Sequence, residues 1–202
     1  FAEYLAARHL ASLLEVEKED DKRRDFLAKY ALVPRWREVV LLMTAHIGLD
    51  GRRAAATQVL SDILQMNLPY DDHLHRKILL AGHCLADDLR VNSEAAAWVF
   101  EQLTKILIET PVAPLQNQII EINRIAQGSL YKDEIVNRLL GMSLQAESDG
   151  VRATIAVAFG RIGDERAIDS LVAQLSQAES DKVRASIAVA LGRIGGQRAV
   201  DS

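Results

Sequence analysis

The sequence predicts an all-α chain built as an α-α superhelix, a solenoid preceded by a bundle-like N-terminal helical part. Three observations predict it. First, residues 145–170 (QAESDGVRATIAVAFGRIGDERAIDS) return as residues 177–202 (QAESDKVRASIAVALGRIGGQRAVDS), at an offset of 32 and with 20 of 26 positions identical. A fixed period of that length marks a repeat array. Second, apolar residues recur at spacings of three and four through most of the chain, the period of a helix with one buried face. Third, no stretch alternates apolar and polar residues between turn signals, so no sheet is expected.

Each repeat reads as two antiparallel helices. Asp149 and Asp181 stand where an N-cap is expected, a side-chain oxygen taking up backbone N–H groups. Val183, Ile187, Ala190, Leu191 and Ile194 then form one apolar stripe. Gly163 and Gly195 are expected to close these first helices, because glycine suits the left-handed position after a helix end. A second helix follows, apolar at Ala167, Ile168, Leu171, Val172 and Leu175. Such pairs stack into an α-solenoid. Ile135, Val136, Leu139 and Leu140 lie 32 residues before Ala167, Ile168, Leu171 and Val172, which predicts a degenerate preceding helix.

Further upstream, helices are expected near 3–16, 22–32, 35–48, 52–66, 72–87, 93–109 and 114–127. Pro34, Pro69, Pro111 and Pro114 fall at the breaks between them, where proline is tolerated. The helix carrying Trp36, Val39, Val40, Leu41, Leu42, Met43 and Ile47 is apolar nearly all round, so it belongs at the centre of the N-terminal part. The mixed-charge stretch at 15–24 reads as a solvated connector or helix start. The interruption ETPVAP divides the chain into a helical region, 1–112, and a repeat solenoid, 113–202.

Composition excludes several classes of function. Of the 202 residues, 49% are hydrophobic and 26% charged, a globular balance. Only 5% are aromatic, which suits thin helices stacked through small side chains better than a deep aromatic-lined pocket. A formal net charge of −4 supplies no electrostatic footprint for nucleic acid or an anionic membrane, so neither partner is expected. One cysteine, Cys84, permits no intrachain disulfide and favours a cytoplasmic setting. The chain opens at Phe1 without Met and stops a few residues into a repeat, so a longer parent is expected.

Candidate chemistry is sparse. His73 and His75 follow Asp71 and Asp72, but helical residues two apart point about 200° apart and do not converge on one ion. The acidic pair suits a helix N-terminus, and no metal is expected. His83 and Cys84 are adjacent, so they do not face each other as nucleophile and base. His9 and His46 lie in helical patterns without partners. No catalytic or cofactor-binding residue is expected. The repeats place Arg152 beside Asp149 and Arg184 beside Asp181, readable as an Arg–Asp ladder linking repeats and tying down turns. Arg161 and Arg193, one per repeat near a helix end, would form a basic row open to a partner.

Two resemblances add to this reading. The motifs D-x-V-R-A at 149–153 and 181–185, G-R-I-G at 160–163 and 192–195, and R-A-[IV] at 166–168 and 198–200 resemble the short HEAT-like repeats also found in the phycobilisome-lyase group. That resemblance implies the solenoid fold, and for function a scaffold, a sensor or, less often, a bilin lyase. Upstream, F-A-E-Y-L-A-A-R at 1–8 resembles the helix that follows the nucleotide-binding core of NACHT-type STAND NTPases. P-R-W-R-E-V-V-L-L at 34–42 and L-L-A-G-H-C-L-A-D at 79–87 resemble helices that come after it in bacterial members, ahead of sensor repeats. The resemblance implies a signal-transducing ATPase as the parent, with this segment sensing a protein or other ligand and having no enzymatic activity of its own. No G-x-x-x-x-G-K-[ST] phosphate loop lies between Phe1 and Ser202, so the nucleotide site would lie outside them.

Overall fold

The computed structural model describes residues 2–16, 20–49 and 51–201. Among them every regular element is helical. In order these are α1 (Ala2–Val16), α2 (Asp20–Tyr30), α3 (Pro34–Leu49), α4 (Arg53–Gln65), α5 (Asp71–Leu74), α6 (Arg76–Ala86), α7 (Ser93–Glu109), α8 (Ala113–Ile125), a 3₁₀ turn (Ala126–Gly128), α9 (Lys132–Gln145), α10 (Asp149–Ile162), α11 (Ala167–Gln177) and α12 (Asp181–Asp201). Two compact units result: Phe1–Phe100 with Gly128–Leu130, and Glu101–Gln127 with Tyr131–Ser202. The division falls inside α7, ahead of the Pro111–Pro114 interruption.

In the first unit α3 is the central element, packing against α1, α4 and α6. Pro34 opens it, where its missing N–H costs nothing. Val39, Val40, Met43 and Ile47 bury one side of α3, and Ala7 and Ala11 of α1 are buried. The expected helix over 72–87 is two helices. His75 takes a left-handed conformation (φ 52°) between α5 and α6, and Asp71 Oδ1 accepts the N–H groups of Arg76 at 2.9 Å and Lys77 at 3.4 Å. A side-chain cap satisfies donors that a continuous helix would have paired internally, so a new helix starts there.

The stretch at 15–24 holds the start of α2 at Asp20, one of the two expectations for it; residues 17–19 lie outside the described residues, and the helix start is not wholly solvated. Arg23 is buried, its Nε donating to Asp62 of α4 at 2.5 Å. Arg24 Nε reaches the other oxygen at 3.1 Å and Gln58 Nε2 donates to it at 3.2 Å. The Asp62 side chain has no exposure. A buried carboxylate is tolerated only when paired and hydrogen-bonded, and here two arginines and an amide surround it. The pairing spans 39 residues, which a local charge pattern does not disclose.

The second unit is a two-layer stack. α8, α10 and α12 pack side by side in one layer, and α9 packs against α11 in the other. The 32-residue period corresponds to one hairpin. Ile155, Ala158 and Ile162 of α10 are buried, as are Ile187, Ala190 and Ile194 of α12 one period later. The expected degenerate helix is α9, with Ile135, Val136 and Leu139 buried. α10 and α12 approach closely at one point: a Cβ built on Gly160 would lie 2.7 Å from the Cα of Ala190. Gly192, its counterpart on α12, has nothing within 4 Å.

Two local expectations in the repeats need correction. The N-cap of α10 is Ser148, whose Oγ accepts the Val151 N–H at 3.2 Å, while Asp149 is the first helical residue. Ser180 stands at the same place before α12, its carbonyl accepting the Arg184 N–H at 3.0 Å. Asp149 and Asp181 instead add negative charge to the first turn, where the helix dipole favours it. Gly163 closes α10 as expected, with φ 76°. Gly195 does not close its helix, and α12 continues through it to Asp201.

The Gly160 contact yields a paired prediction. Gly160→Ala must push α10 and α12 apart and is expected to destabilise by about 1–3 kcal/mol. Gly192→Ala meets open space and is expected to stabilise by about 0.5–1 kcal/mol through helix propensity. Thermal unfolding followed by circular dichroism reads both; a Gly160→Ala melting temperature at or above that of the unchanged chain would contradict the close approach.

Candidate interaction surface

In each repeat an arginine in the first turn of the leading helix reaches backwards. Arg152 Nε donates to the carbonyl of Ala146 at 3.0 Å, and Arg184 Nε donates to Ala178 at 2.8 Å. Ala146 and Ala178 are the C-caps of α9 and α11, so each arginine holds the last turn of one hairpin against the start of the next. The carboxylates play a shorter-range part. Asp149 pairs with Arg152 at 3.5 Å and Asp181 with Arg184 at 3.4 Å, both three residues apart on one helix. The expected Asp149–Arg152–Asp181–Arg184 ladder between repeats is therefore two local pairs. An Arg–Asp spacing of three keeps both groups on one helix face, so each pair closes within its own turn.

The ion pairs that cross from hairpin to hairpin involve residues that the repeat pattern did not single out. Asp164 sits in the turn after Gly163, its side chain only 5% exposed. Its Oδ1 accepts the Arg166 N–H at 3.0 Å, and the Arg166 guanidinium grips both carboxylate oxygens at 2.9 and 3.0 Å. Lys132 of α9 approaches Asp164 at 3.6 Å, and Arg166 reaches Asp133 of α9 at 2.9 Å. The Arg166 hydrogen bonds hold the Asp164 carboxyl below the usual carboxylate range, aided by the charges of Arg166 and Lys132 and opposed by burial. In the layer of α9 and α11, Ser143 Oγ and Ser170 Oγ lie 3.0 Å apart, and the Gln174 amide donates to both. The pattern that could have revealed this set was the one-period spacing of Lys132 from Asp164 and of Asp133 from the site beside Arg166.

Arg161 and Arg193 are both exposed, at equivalent positions of two helices that pack side by side. They therefore recur along one layer of the stack. Thr154, Val157, Ser186 and Val189 lie on the same helical stripe by spacing, each of them partly or fully exposed. The surface is mixed: a cation, a branched apolar side chain and a hydroxyl per repeat.

The remaining candidates separate. His73 is exposed, and His75 sits at the break between α5 and α6. Among the described residues no group of three or more His, Cys, Asp or Glu side chains is placed to hold a metal ion. Cys84 is fully buried, and desolvation pushes its thiol up to about 12, which removes thiolate character at neutral pH. Among the described residues no helix is long and apolar enough to cross a membrane. The sequence reading missed an open apolar groove of about 390 Å³ in the first unit, where Leu60, Leu64 and Gln65 of α4 face Ala95 and Trp98 of α7. Trp98 is 48% exposed. Its place off the buried Val99–Leu103–Leu107 stripe was the available signal.

Residues 133–202 match the family model of HEAT repeats. No curated protein and no solved structure matches the chain. The matched residues are α9 to α12, the same helices whose two-layer stacking is described above. This part of the chain is accordingly similar to HEAT repeats, helical repeats that often mediate protein interactions.

Asp164 gives this surface an acid dependence. A group with a depressed folded pKa contributes stability in full above its unfolded value, ~3.9 for aspartate, and loses it as pH falls through the folded value. Asp164→Asn is expected to lower stability at pH 7 by about 1 kcal/mol, discounted because solvent screens the partly exposed Arg166. The gap to the unchanged chain should narrow below about pH 4. Urea unfolding at pH 7 and pH 3 measures it; an equal gap at both would show that the charge is not the cause.

Proposed function

We propose that this chain is the interaction and sensor segment of a larger signal-transducing NTPase, and that it receives a protein or other ligand on its helical-repeat surface. The observation that carries this reading is the order of three motifs ahead of the repeats. F-A-E-Y-L-A-A-R, P-R-W-R-E-V-V-L-L and L-L-A-G-H-C-L-A-D fall on α1, α3 and α6, in the order seen in NACHT-type STAND proteins, and HEAT-like repeats follow. The segment's role is recognition, with nucleotide chemistry carried by the parent's core.

Ligand binding would act by repacking. A solenoid transmits strain from hairpin to hairpin because each repeat touches only its neighbours. The Arg152 and Arg184 contacts to C-cap carbonyls and the Arg166–Asp133 pair are the joints through which a partner's pull would pass. Arg161 and Arg193, one charge per repeat, would pair with an acidic partner surface.

Two measurements test this. The encoding reading frame is expected to carry a G-x-x-x-x-G-K-[ST] phosphate loop upstream of Phe1; a frame without one would remove the NTPase parent and leave a HEAT-repeat scaffold. For a partner of the repeats, the double charge reversal Arg161→Glu/Arg193→Glu is expected to weaken affinity tenfold or more through like-charge contacts. Isothermal titration reads the change, and unaltered affinity would exclude the arginine row from the interface.

A further inference from the structure

The 32-residue period reaches back into α8. Ala126-Gln127-Gly128 stands one period before Ala158-Phe159-Gly160 and two before Ala190-Leu191-Gly192. In that register Asn123 takes the position of Ile155 and Ile187, both fully buried, and Gln127 takes that of Phe159. Asn123 is itself only 1% exposed. The side-chain nitrogens of Asn123 and Gln127 are buried, and neither has a hydrogen-bond acceptor. Four residues apart, they lie on one face, in the last turn of α8 and the 3₁₀ turn that follows it. Two amides thus stand where the next hairpin has isoleucine and phenylalanine.

The two ends of α8 are held unequally. At the N-terminal end Gln116 Nε2 donates to the carbonyls of Thr110 at 2.9 Å and Leu107 at 3.3 Å, tying the helix to the end of α7. At the C-terminal end, the clamp that closes the following hairpin, Asp164 with Arg166, has Lys132 and Glu134 in its places. A buried N–H without an acceptor disfavours the closed form by about fivefold to a hundredfold, because water would bond the same group. Opening α8 removes that penalty. Opening α10 from α12 removes none, since Ile155, Phe159 and Ile187 are apolar and the Gly160–Ala190 approach is lost.

We infer that α8 is the element of the repeat stack that opens by itself. Anchored through Gln116, its C-terminal half leaves the side of α10 against which it packs, and Asn123 and Gln127 become hydrated. α10 and α12 stay together. The amide pair sets how often the helix opens, and the opening uncovers an apolar flank of α10 within the stack. This holds whether or not the parent is an NTPase.

Native-state hydrogen exchange of the full chain, read at single amides by NMR, tests the opening. The amides of Ile120–Asn123 are expected to exchange about fivefold or more faster than those of Ile155–Phe159. Asn123→Ile, which installs the residue of the later repeats, should slow exchange in α8 by about fivefold or more. Ile187→Val should speed exchange in α10 about twofold to tenfold and leave α8 unchanged, because an opening confined to α8 does not disturb α12. Exchange in α8 that is no faster than in α10, or that Asn123→Ile does not slow, overturns the inference. So does an Ile187→Val chain in which α8 speeds up as much as α10, which would make the stack one cooperative unit. Gln127→Leu, expected to slow α8 in the same sense, carries the test should Asn123→Ile fold poorly.

Discussion

The close approach of α10 and α12 is the constraint on which the second unit depends. Two helices meet with almost no side chain between them, at Gly160 and Ala190. Helix axes can draw together only where the facing residues are small, and the larger side chains on either side then interdigitate. Ala153 and Ala156 lie on the same helical stripe as Gly160 by spacing and are buried, as are Ile155, Phe159 and Ile162 elsewhere on α10. The 32-residue period follows from this. Each leading helix must return at the same height to meet its predecessor, so hairpin length cannot drift without losing the contact.

Around that contact, polar residues hold the turns. Arg152 and Arg184 bind the carbonyl that ends the preceding hairpin, and Asp164 and Arg166 join the opposite end of the stack to α9. These groups contribute little individually at a partly exposed surface. Their value is geometric, since they select one turn conformation from several that apolar packing would accept. The packed interior keeps the repeats in register, and Arg161 and Arg193 stay exposed outside it.

Most helix positions were legible because the signals are local. Apolar spacing, prolines at the breaks and the repeat itself placed α1, α3, α4, α7, α8, α9 and α10 to within a few residues. The departures share a cause: a residue acting at a distance or one step out of its expected place. Arg23 looked solvated until Asp62, 39 residues later, was brought to it. Asp71 broke a helix at His75 by capping the following one. Ser148, beside the more conspicuous Asp149, supplied the cap. The same holds for the surface: the arginines of the D-x-V-R-A motif were visible, but their carbonyl partners were not.

By itself the sequence determined the all-helical class, the 32-residue unit and which side chains face the core, because these depend on periodicity and on interactions within one turn. Tertiary structure alone decided which identical residues are used. Gly160 is pressed against a neighbouring helix and Gly192 is open; Gly163 turns the chain and Gly195 does not. For Gly160 what differs is the packed helix that places Ala190 against it, a contact no local pattern discloses; for Gly163 the next residue differs too, Asp164 standing where Gly196 follows Gly195.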